Sequence, residues 1–181
     1  ATAAAGGGDT TLEAPASPAG AAPTAEAPLP EPDPKLLAVD KAKEKAPATF
    51  KAKFTTTKGD FTVACHRAWS PHGVDRFYNL VKVGFFTDVA LFRAVKNFVV
   101  QFGIHGHPKV SAAWGDANIP DDPVKQGNKR GRLTFAKSGP NTRSSQLFIN
   151  YKDNTSLDEM GFPTICEVVD GMKIVDSFYQ E

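Results

Sequence analysis

The sequence has few cysteines, no excess charge of either sign and no long apolar run, and each of these absences excludes a class of protein. Two cysteines, Cys65 and Cys166, are too few for a disulfide-rich scaffold and too far apart for a zinc motif of close-set thiols. The 21 Lys and Arg nearly balance the 20 Asp and Glu, which argues against a nucleic-acid partner. No stretch approaches the roughly 18 apolar residues of a membrane helix, so we expect no membrane-spanning segment.

Aromatic residues are missing from the first 49 positions, although the chain has 13 Phe, 3 Tyr and 2 Trp. This first part is rich in Ala and Pro, and it has too little apolar surface to offset the entropy lost on ordering. We therefore divide the chain into a disordered Ala/Pro-rich linker over residues 1–48 and a folded domain over residues 49–181. Within the linker, the charged, Ala-rich residues 35–47 predict a short helix.

The linker also bears on localisation. The chain does not begin with Met, and the prolines near residue 30 favour an extended, semi-rigid spacer. A spacer of this kind is typical of exported or lipid-anchored bacterial proteins. We expect export to the bacterial cell envelope or periplasm, with a cytoplasmic or plastid-lumen location as the alternatives.

The domain begins with the period-two alternation of a strand, in which Phe50, Ala52 and Phe54 are apolar and the residues between them are polar. A turn at Lys58-Gly59-Asp60 leads into a second alternating run, and the two runs together predict a hairpin. Ser70-Pro71 predicts the N-cap and first position of a helix ending at Gly84, and a second helix is expected near the end, over residues 172–178. Further strands are expected at 89–95, 98–102, 132–136, 146–150 and 163–169, which favours a barrel or sandwich.

Histidine and cysteine leave two alternatives open. His105-Gly106-His107, with His66 or His72, could form a metal site, but we interpret these residues as ordinary loop histidines and expect no metal or cofactor. Cys65 and Cys166 both lie in predicted strands. We interpret them as small buried apolar residues, and a disulfide between them is the alternative.

Two segments point to a specific chemistry. The first runs from Leu91 to Gly103 and has Arg93 in the middle of an apolar, strand-like stretch, where a charge is costly unless it has a partner or a wet cavity. In the second, from Phe135 to Ile149, a Gly-Pro-Asn-Thr turn leads into an apolar strand headed by Gln146.

Together these segments resemble the cyclophilin-type peptidyl-prolyl cis-trans isomerases, and the bacterial members in particular. The family pattern is an Arg, a Phe five residues later and then x-x-Gln, followed further on by Ala-x-x-Gly-Pro-Asn-Thr-x-x-Ser-Gln-x-Phe-Ile. The matching residues are Arg93, Phe98, Gln101, Ala136, Gly139, Pro140, Asn141, Thr142, Ser145, Gln146, Phe148 and Ile149. The likeness extends from about Thr49 to Glu181.

The resemblance implies a mainly β fold, a cyclophilin-like eight-stranded antiparallel β-barrel with two helices. The chain ends before the family's last strand, so we expect a C-terminally truncated fragment. The implied function is isomerisation of X-Pro bonds, assisting protein folding as a monomer that acts on proline-containing peptides and on unfolded or folding proteins. The alternative is a proline-segment binding module or chaperone on the same scaffold with little turnover.

The resemblance also implies roles for individual residues. Arg93 matches the catalytic arginine, and Gln101 with the backbone near Lys137 is expected to hold the substrate chain. Gln146 either contacts substrate or satisfies a neighbouring backbone group. The expected substrate-binding residues are Phe98, Val99, Gln101, Ala136, Lys137, Gln146, Phe148, Leu157 and Phe162.

Several positions depart from the pattern of the eukaryotic members. Phe92 precedes the arginine in place of His, Ser156 replaces a pocket-rim Trp, Lys137-Ser138 replaces Asn-Ala, and Phe162 replaces a pocket His. We therefore expect weak cyclosporin binding. The loop over residues 103–131 resembles certain bacterial members.

Overall fold

Eight strands form one antiparallel sheet in the computed structural model, which describes residues 2–6 and 29–178. The strand order is β1-β2-β3-β8-β6-β7-β5-β4, and the sheet curls into a half-barrel. The predicted mainly β, cyclophilin-like fold is confirmed. The strands are β1 (Thr2–Gly6), β2 (Thr49–Thr56), β3 (Gly59–His66), β4 (Leu91–Ala94), β5 (Val99–Phe102), β6 (Arg132–Phe135), β7 (Leu147–Asn150) and β8 (Thr164–Asp170).

Alternation along the first hairpin builds one wall of the core. In β2 the side chains of Phe50, Ala52 and Phe54 are at most 4% exposed, while the lysines between them face solvent. The ring of Phe54 lies 4.8 Å from that of Phe61, its partner in β3. The predicted hairpin is confirmed because the period of two places every apolar residue on one face.

The helices are α1 (Pro34–Leu37), α2 (Pro71–Lys82), α3 (Pro108–Gly115), α4 (Thr155–Glu159) and α5 (Met172–Ser177). Helices α2 and α5 match the two that the sequence predicts within the domain. The short helix expected over residues 35–47 is limited to α1 and a 3₁₀ turn at Val39–Lys41. Helix α4 is an addition to the prediction, and so is α3. The apolar pattern of α3 consists of only two buried residues, Val110 and Trp114, which are four positions apart. This single apolar pair in a loop rich in Gly, Pro and Asp gives little signal for a helix.

The beginning of α2 differs from the sequence expectation. Ser70 occupies the N-cap position, but its side chain makes no capping hydrogen bond. Its Oγ instead donates to Oδ2 of Asp122, and the same oxygen accepts from the backbone N–H of Gly73. The carboxylate of a distant loop therefore caps the helix in place of the local hydroxyl, because a charged acceptor at a helix N-terminus forms the stronger hydrogen bond.

Part of the segment assigned to the linker packs against the domain. Residues 29–46, here termed the strap, cross α2 and α3. Trp114 Nε1 donates to the carbonyl of Leu36 over 2.7 Å, and the side-chain amide of Asn79 binds both the N–H and the carbonyl of Glu44. Strand β1 pairs along β2, and residues 7–28 of the predicted linker lie outside the described residues.

The two cysteines are buried, as the sequence predicts, but they form a disulfide, which the sequence left as the alternative. Cys65 in β3 and Cys166 in β8 lie directly opposite each other, and their sulfurs are joined at 2.00 Å. Antiparallel pairing of β3 and β8 brings the two cysteines close enough to bond. Their separation of 101 positions in the sequence gives no sign of this contact.

The histidine loop shows no sign of a metal site. His105 Nδ1 accepts a hydrogen bond from the backbone N–H of His107, and His107 Nδ1 accepts one from Lys109. Within residues 2–6 and 29–178, no cluster of three or more His, Cys, Asp or Glu could hold a metal ion. Over the same ranges, no helix is long and apolar enough to cross a membrane.

Candidate active site

A small apolar cluster lies apart from the main core, and it collects most of the residues expected to bind substrate. Val99, Phe148 and Leu157 are buried in it. Phe98, Ala136 and Phe162 pack against these three and are partly exposed. Six of the nine predicted substrate-binding residues therefore come together from β5, β7, α4 and the loops next to β5, β6 and α4, although their roles stay predictions.

Strand alternation explains why this cluster is separate. In β5, Val100 and Phe102 belong to the main core, whereas Val99 faces the small cluster. In β7, the neighbours of Phe148 on both sides also belong to the main core. The sheet is thus apolar on both faces here, one face closing the core and the other forming a pocket.

Antiparallel pairing then aligns the polar site residues with this cluster. Arg93 in β4 lies opposite Gln101 in β5, and Gln101 lies opposite Phe148 in β7. Residues opposite each other project from the same face, so these three side chains form a row across three strands. Two strand spacings separate the ends of the row, about 10 Å.

Arg93 is exposed, which explains how an arginine is accommodated in an apolar strand. Among the described residues no side chain or carbonyl binds its guanidinium. Its charge remains in water and avoids the cost of burial. The group is therefore available to a ligand in the neighbouring cluster.

The turn between β4 and β5 presents Phe98 to this side of the sheet. Asn97 has φ of 56°, a left-handed conformation that Asn adopts more readily than most residues. The backbone N–H of Phe98 donates to Val95, and its carbonyl accepts from both Tyr151 N–H and the Asn154 side chain. These bonds hold Phe98 at the edge of the cluster.

The two glutamines of the site bind each other. Gln101 Nε2 donates to Gln146 Oε1 over 3.0 Å. Both line a polar groove of about 290 Å³ beside the apolar cluster, with Gly115, Ala136, Lys137, Ser138, Thr142 and Ser144. The bond orients the side-chain amide of Gln101, and the substrate-binding roles of both glutamines stay predictions.

The loop that follows β6 forms the far rim of the groove. Thr142 Oγ1 accepts from the backbone N–H groups of Ser138 and Gly139 and donates to the carbonyl of Gly139 over 2.8 Å. Lys137 Nζ lies 5.3 Å from the centroid of the Phe162 ring. The threonine hydroxyl therefore shapes the turn that carries Lys137.

A buried ion pair that sequence reasoning missed supports this loop. Arg143 and Asp122 pair over 3.0 Å, and their side chains are 0% and 4% exposed. Burial alone would raise the pKa of Asp122, but hydrogen bonds from Ser70, Arg143 and Gly73 outweigh it and hold the pKa below its usual value. Both residues lie in loops where no periodicity marks a residue as buried.

Two further contacts hold the segment that ends in Gln146. Gly103 has φ of 109°, and a Cβ placed on it would lie 2.1 Å from the carbonyl oxygen of Ser145, so only glycine allows this approach. The guanidinium of Arg76 donates to the carbonyl of Ser144 over 3.0 Å. Burial lowers the pKa of Arg76 to about 10, so it remains cationic at neutral pH.

Known proteins resemble this chain in sequence and in fold. A family model described as cyclophilin type peptidyl-prolyl cis-trans isomerase/CLD matches residues 51–180. Peptidyl-prolyl cis-trans isomerase B of Escherichia coli is 29% identical over 133 residues, which cover 68% of this chain and 80% of that protein. Peptidyl-prolyl cis-trans isomerase-like 2 of Emericella nidulans is 33% identical over 108 residues, which cover 56% of this chain.

The matched region is only 18% of the length of that Emericella protein, so the chain spans about a fifth of several relatives that it matches. Among solved structures, a Cryptosporidium parvum cyclophilin type peptidyl-prolyl cis-trans isomerase, crystallised in the presence of the dipeptide Ala-Pro, has a TM-score of 0.59 at 21% identity. The match covers 71% of this chain and 84% of that one, which establishes similarity of fold.

Proposed function

Because the chain belongs to the cyclophilin-type peptidyl-prolyl cis-trans isomerases, we propose that its domain catalyses rotation about X-Pro peptide bonds and so assists protein folding. One observation carries the proposal. The exposed guanidinium of Arg93 lies in the same row of side chains as Gln101 and Phe148, beside an apolar cluster whose rim residues Phe98, Ala136 and Phe162 are partly exposed. A core has no use for an unpaired arginine in that position.

The chemistry requires no bond to be broken. An X-Pro bond isomerises over a barrier of roughly 18 to 20 kcal/mol because the twisted amide loses its resonance. In the twisted form the prolyl nitrogen is pyramidal and can accept a hydrogen bond. Arg93 donates that bond, which is weaker in the planar ground state, and so stabilises the transition state selectively.

The contribution of Arg93 can be bounded. A hydrogen bond from a charged group contributes about 1.5 to 3 kcal/mol, and each 1.36 kcal/mol corresponds to about tenfold in rate. The arginine therefore accounts for about 10- to 150-fold. The remainder comes from holding the proline ring against Phe148 and its neighbours while the preceding carbonyl turns.

The substrate is a proline-containing segment of a polypeptide. It binds to a monomer of the protein, and no cofactor takes part. The apolar cluster receives the proline, and Gln101, oriented by Gln146, binds the backbone beside it. The Cryptosporidium relative crystallised with Ala-Pro supports this class of ligand. Unfolded and folding proteins offer such segments most readily, because their prolines are accessible.

The test is an NMR exchange measurement on an Ala-Pro peptide with catalytic amounts of protein. The Arg93→Ala variant is expected to lose about 10- to 150-fold in kcat/KM while retaining peptide binding. Lys51→Ala is the control, since it removes an exposed cation from β2, away from the cluster.

Equal rates for the natural protein and Arg93→Ala contradict the catalytic role. If peptide binds and neither protein accelerates exchange, the domain is a binding module for proline segments. Loss of activity in Lys51→Ala as well would mean that overall charge, and not the position of Arg93, governs the rate.

For location, we propose export to an oxidising compartment, the bacterial cell envelope or periplasm, with the N-terminal segment as a tether. The disulfide between Cys65 and Cys166 supports this, because structural disulfides persist outside reducing cytoplasm. Thiol alkylation in intact source cells tests it. Thiols that become alkylated after unfolding without reductant would contradict an oxidising location.

A further inference from the structure

Lys137 occupies a position between the apolar cluster and the polar groove. It directly follows Ala136 of the cluster, and its ammonium lies over the ring of Phe162, 5.3 Å from the centroid. A Cβ placed on Gly161 would lie 3.3 Å from the same Nζ. The side chain therefore spans the rim, from the loop after β6 to the loop after α4.

No carboxylate neutralises this ammonium within the described part of the chain. None lies within ion-pairing distance of Nζ, even though α4 ends in two acidic residues, Asp158 and Glu159. The Oδ1 atom of Asp158 instead accepts hydrogen bonds from the backbone and side-chain N–H groups of Asn128. The exposed guanidinium of Arg93 adds a second positive charge to the same site.

A substrate chain that occupies both the apolar cluster and the polar groove would pass this charge. Ala136 and Lys137 line the polar groove of about 290 Å³, and Ala136 also belongs to the apolar cluster. When a proline ring contacts Phe162, the Cα of the neighbouring substrate residue lies only about 3.8 Å from the Cα of the proline. The side chain of that residue can therefore reach Nζ.

We propose that Lys137 is a specificity-determining residue that favours substrates with a carboxylate side chain, Asp or Glu, next to the proline. The inference deepens the proposed function and rests on it. Lys137 takes no part in the rotation itself. It acts on the flanking residue by pairing with its charge.

The size of the preference follows from the exposure of the site. Lys137 is partly exposed, and exposed ion pairs correspond to about 1.4- to 5-fold in an equilibrium or rate ratio. We expect a preference in that range for Glu over Gln in kcat/KM. The preference should shrink in about 1 M salt, where the screening length falls to about 3 Å.

The experiment compares two pairs of peptides, with Glu or Gln immediately before the proline in one pair and immediately after it in the other. NMR titration gives the dissociation constant, and exchange spectra of the same samples give the isomerisation rate. The proteins are the natural chain, Lys137→Gln, Lys137→Glu and the control Lys51→Gln, which removes an exposed lysine from β2.

The natural chain and Lys51→Gln are expected to prefer Glu in at least one pair, Lys137→Gln to lose the preference and Lys137→Glu to reverse it. Equal values for Glu and Gln in the natural chain overturn the proposal, and so does a preference that survives in Lys137→Gln. If no peptide is isomerised, the proposed function fails, but the ratio of dissociation constants still decides the role of Lys137.

Discussion

The buried pair of Asp122 and Arg143 offers the sharpest test of how the site is supported. Asp122→Asn keeps the size of the side chain and removes its charge. In the natural protein this carboxylate binds the Arg143 guanidinium over 3.0 Å and the Ser70 hydroxyl over 2.5 Å, and it caps α2 through Gly73. The variant leaves a guanidinium that is 0% exposed without its counter-ion.

The magnitude follows from that burial. Removing one partner of a buried ion pair costs about 3 to 5 kcal/mol, because the remaining charge stays out of water. For a domain of this size each kcal/mol lowers Tm by roughly 2 to 4 °C, so the expected loss is roughly 6 to 20 °C. The segment leading to Gln146 should loosen too, since Arg143 also donates to the carbonyl of Pro120.

The assay is thermal and urea unfolding, followed by tryptophan fluorescence. Asp121→Asn is a matched control, because the exposed carboxylate next in sequence binds only the backbone N–H of Asn141 in the described structure. We expect a cost below about 1 kcal/mol for that control. If Asp122→Asn is no more destabilising than Asp121→Asn, the reasoning about the buried pair is refuted.

The pH dependence gives an independent check. The pKa of Asp122 is held below its usual value in the folded protein, so the carboxylate stabilises the fold fully above its unfolded pKa, about 3.9. That stabilisation is lost as the pH falls through the lower, folded pKa. The stability difference between the natural protein and Asp122→Asn should be constant from about pH 5 to 8 and shrink below about pH 4.

Two further substitutions test the backbone contact and the strap. Gly103→Ala should lower the free energy of unfolding by about 3 kcal/mol or more, because the added Cβ would lie 2.1 Å from the Ser145 carbonyl oxygen and φ is 109°. The control Gly106→Ala, where no atom is nearer than 4.0 Å to the added Cβ, should change this free energy by under about 1 kcal/mol. Equal effects of the two variants would contradict the argument. Asn79→Ala should lower the free energy of unfolding by about 1 to 3 kcal/mol and should speed amide hydrogen exchange in the strap, residues 29–46. Unchanged exchange in these residues would show that the Asn79 side-chain amide does not hold the strap.

The apolar pattern predicted the strands well, because alternation marks the half-buried β2 and β3 and short apolar runs mark the strands that are buried on both faces. Seven predicted runs correspond to β2 through β8, and the helix begun at Pro71 ends at Lys82, before the left-handed Gly84. The family, too, was readable from local spacing, since the motif around Arg93 and the Gly-Pro-Asn-Thr turn are each continuous in sequence. These features depend on neighbours along the chain.

The sequence named six residues that the structure brings together in one cluster, but it did not predict how they are arranged. The pocket residues were named from the resemblance, but the row of Arg93, Gln101 and Phe148 follows from strand register, which no single segment contains. The bond between Gln101 and Gln146 joins residues 45 positions apart. Ser70 is a case in which the local prediction failed. Its sequence context predicts a helix cap, but its hydroxyl donates to the carboxylate of Asp122, 52 positions away.

The sequence by itself therefore determined the class of fold, the division between an Ala/Pro-rich beginning and an aromatic domain, and the family, because alternation and motif spacing are local properties. Only the tertiary structure decided that Cys65 and Cys166 are bonded, that Asp122 neutralises Arg143, and that the ammonium of Lys137 lies over Phe162. Each of these depends on the distance in space between segments far apart in the chain, and that distance exists only once the sheet has formed.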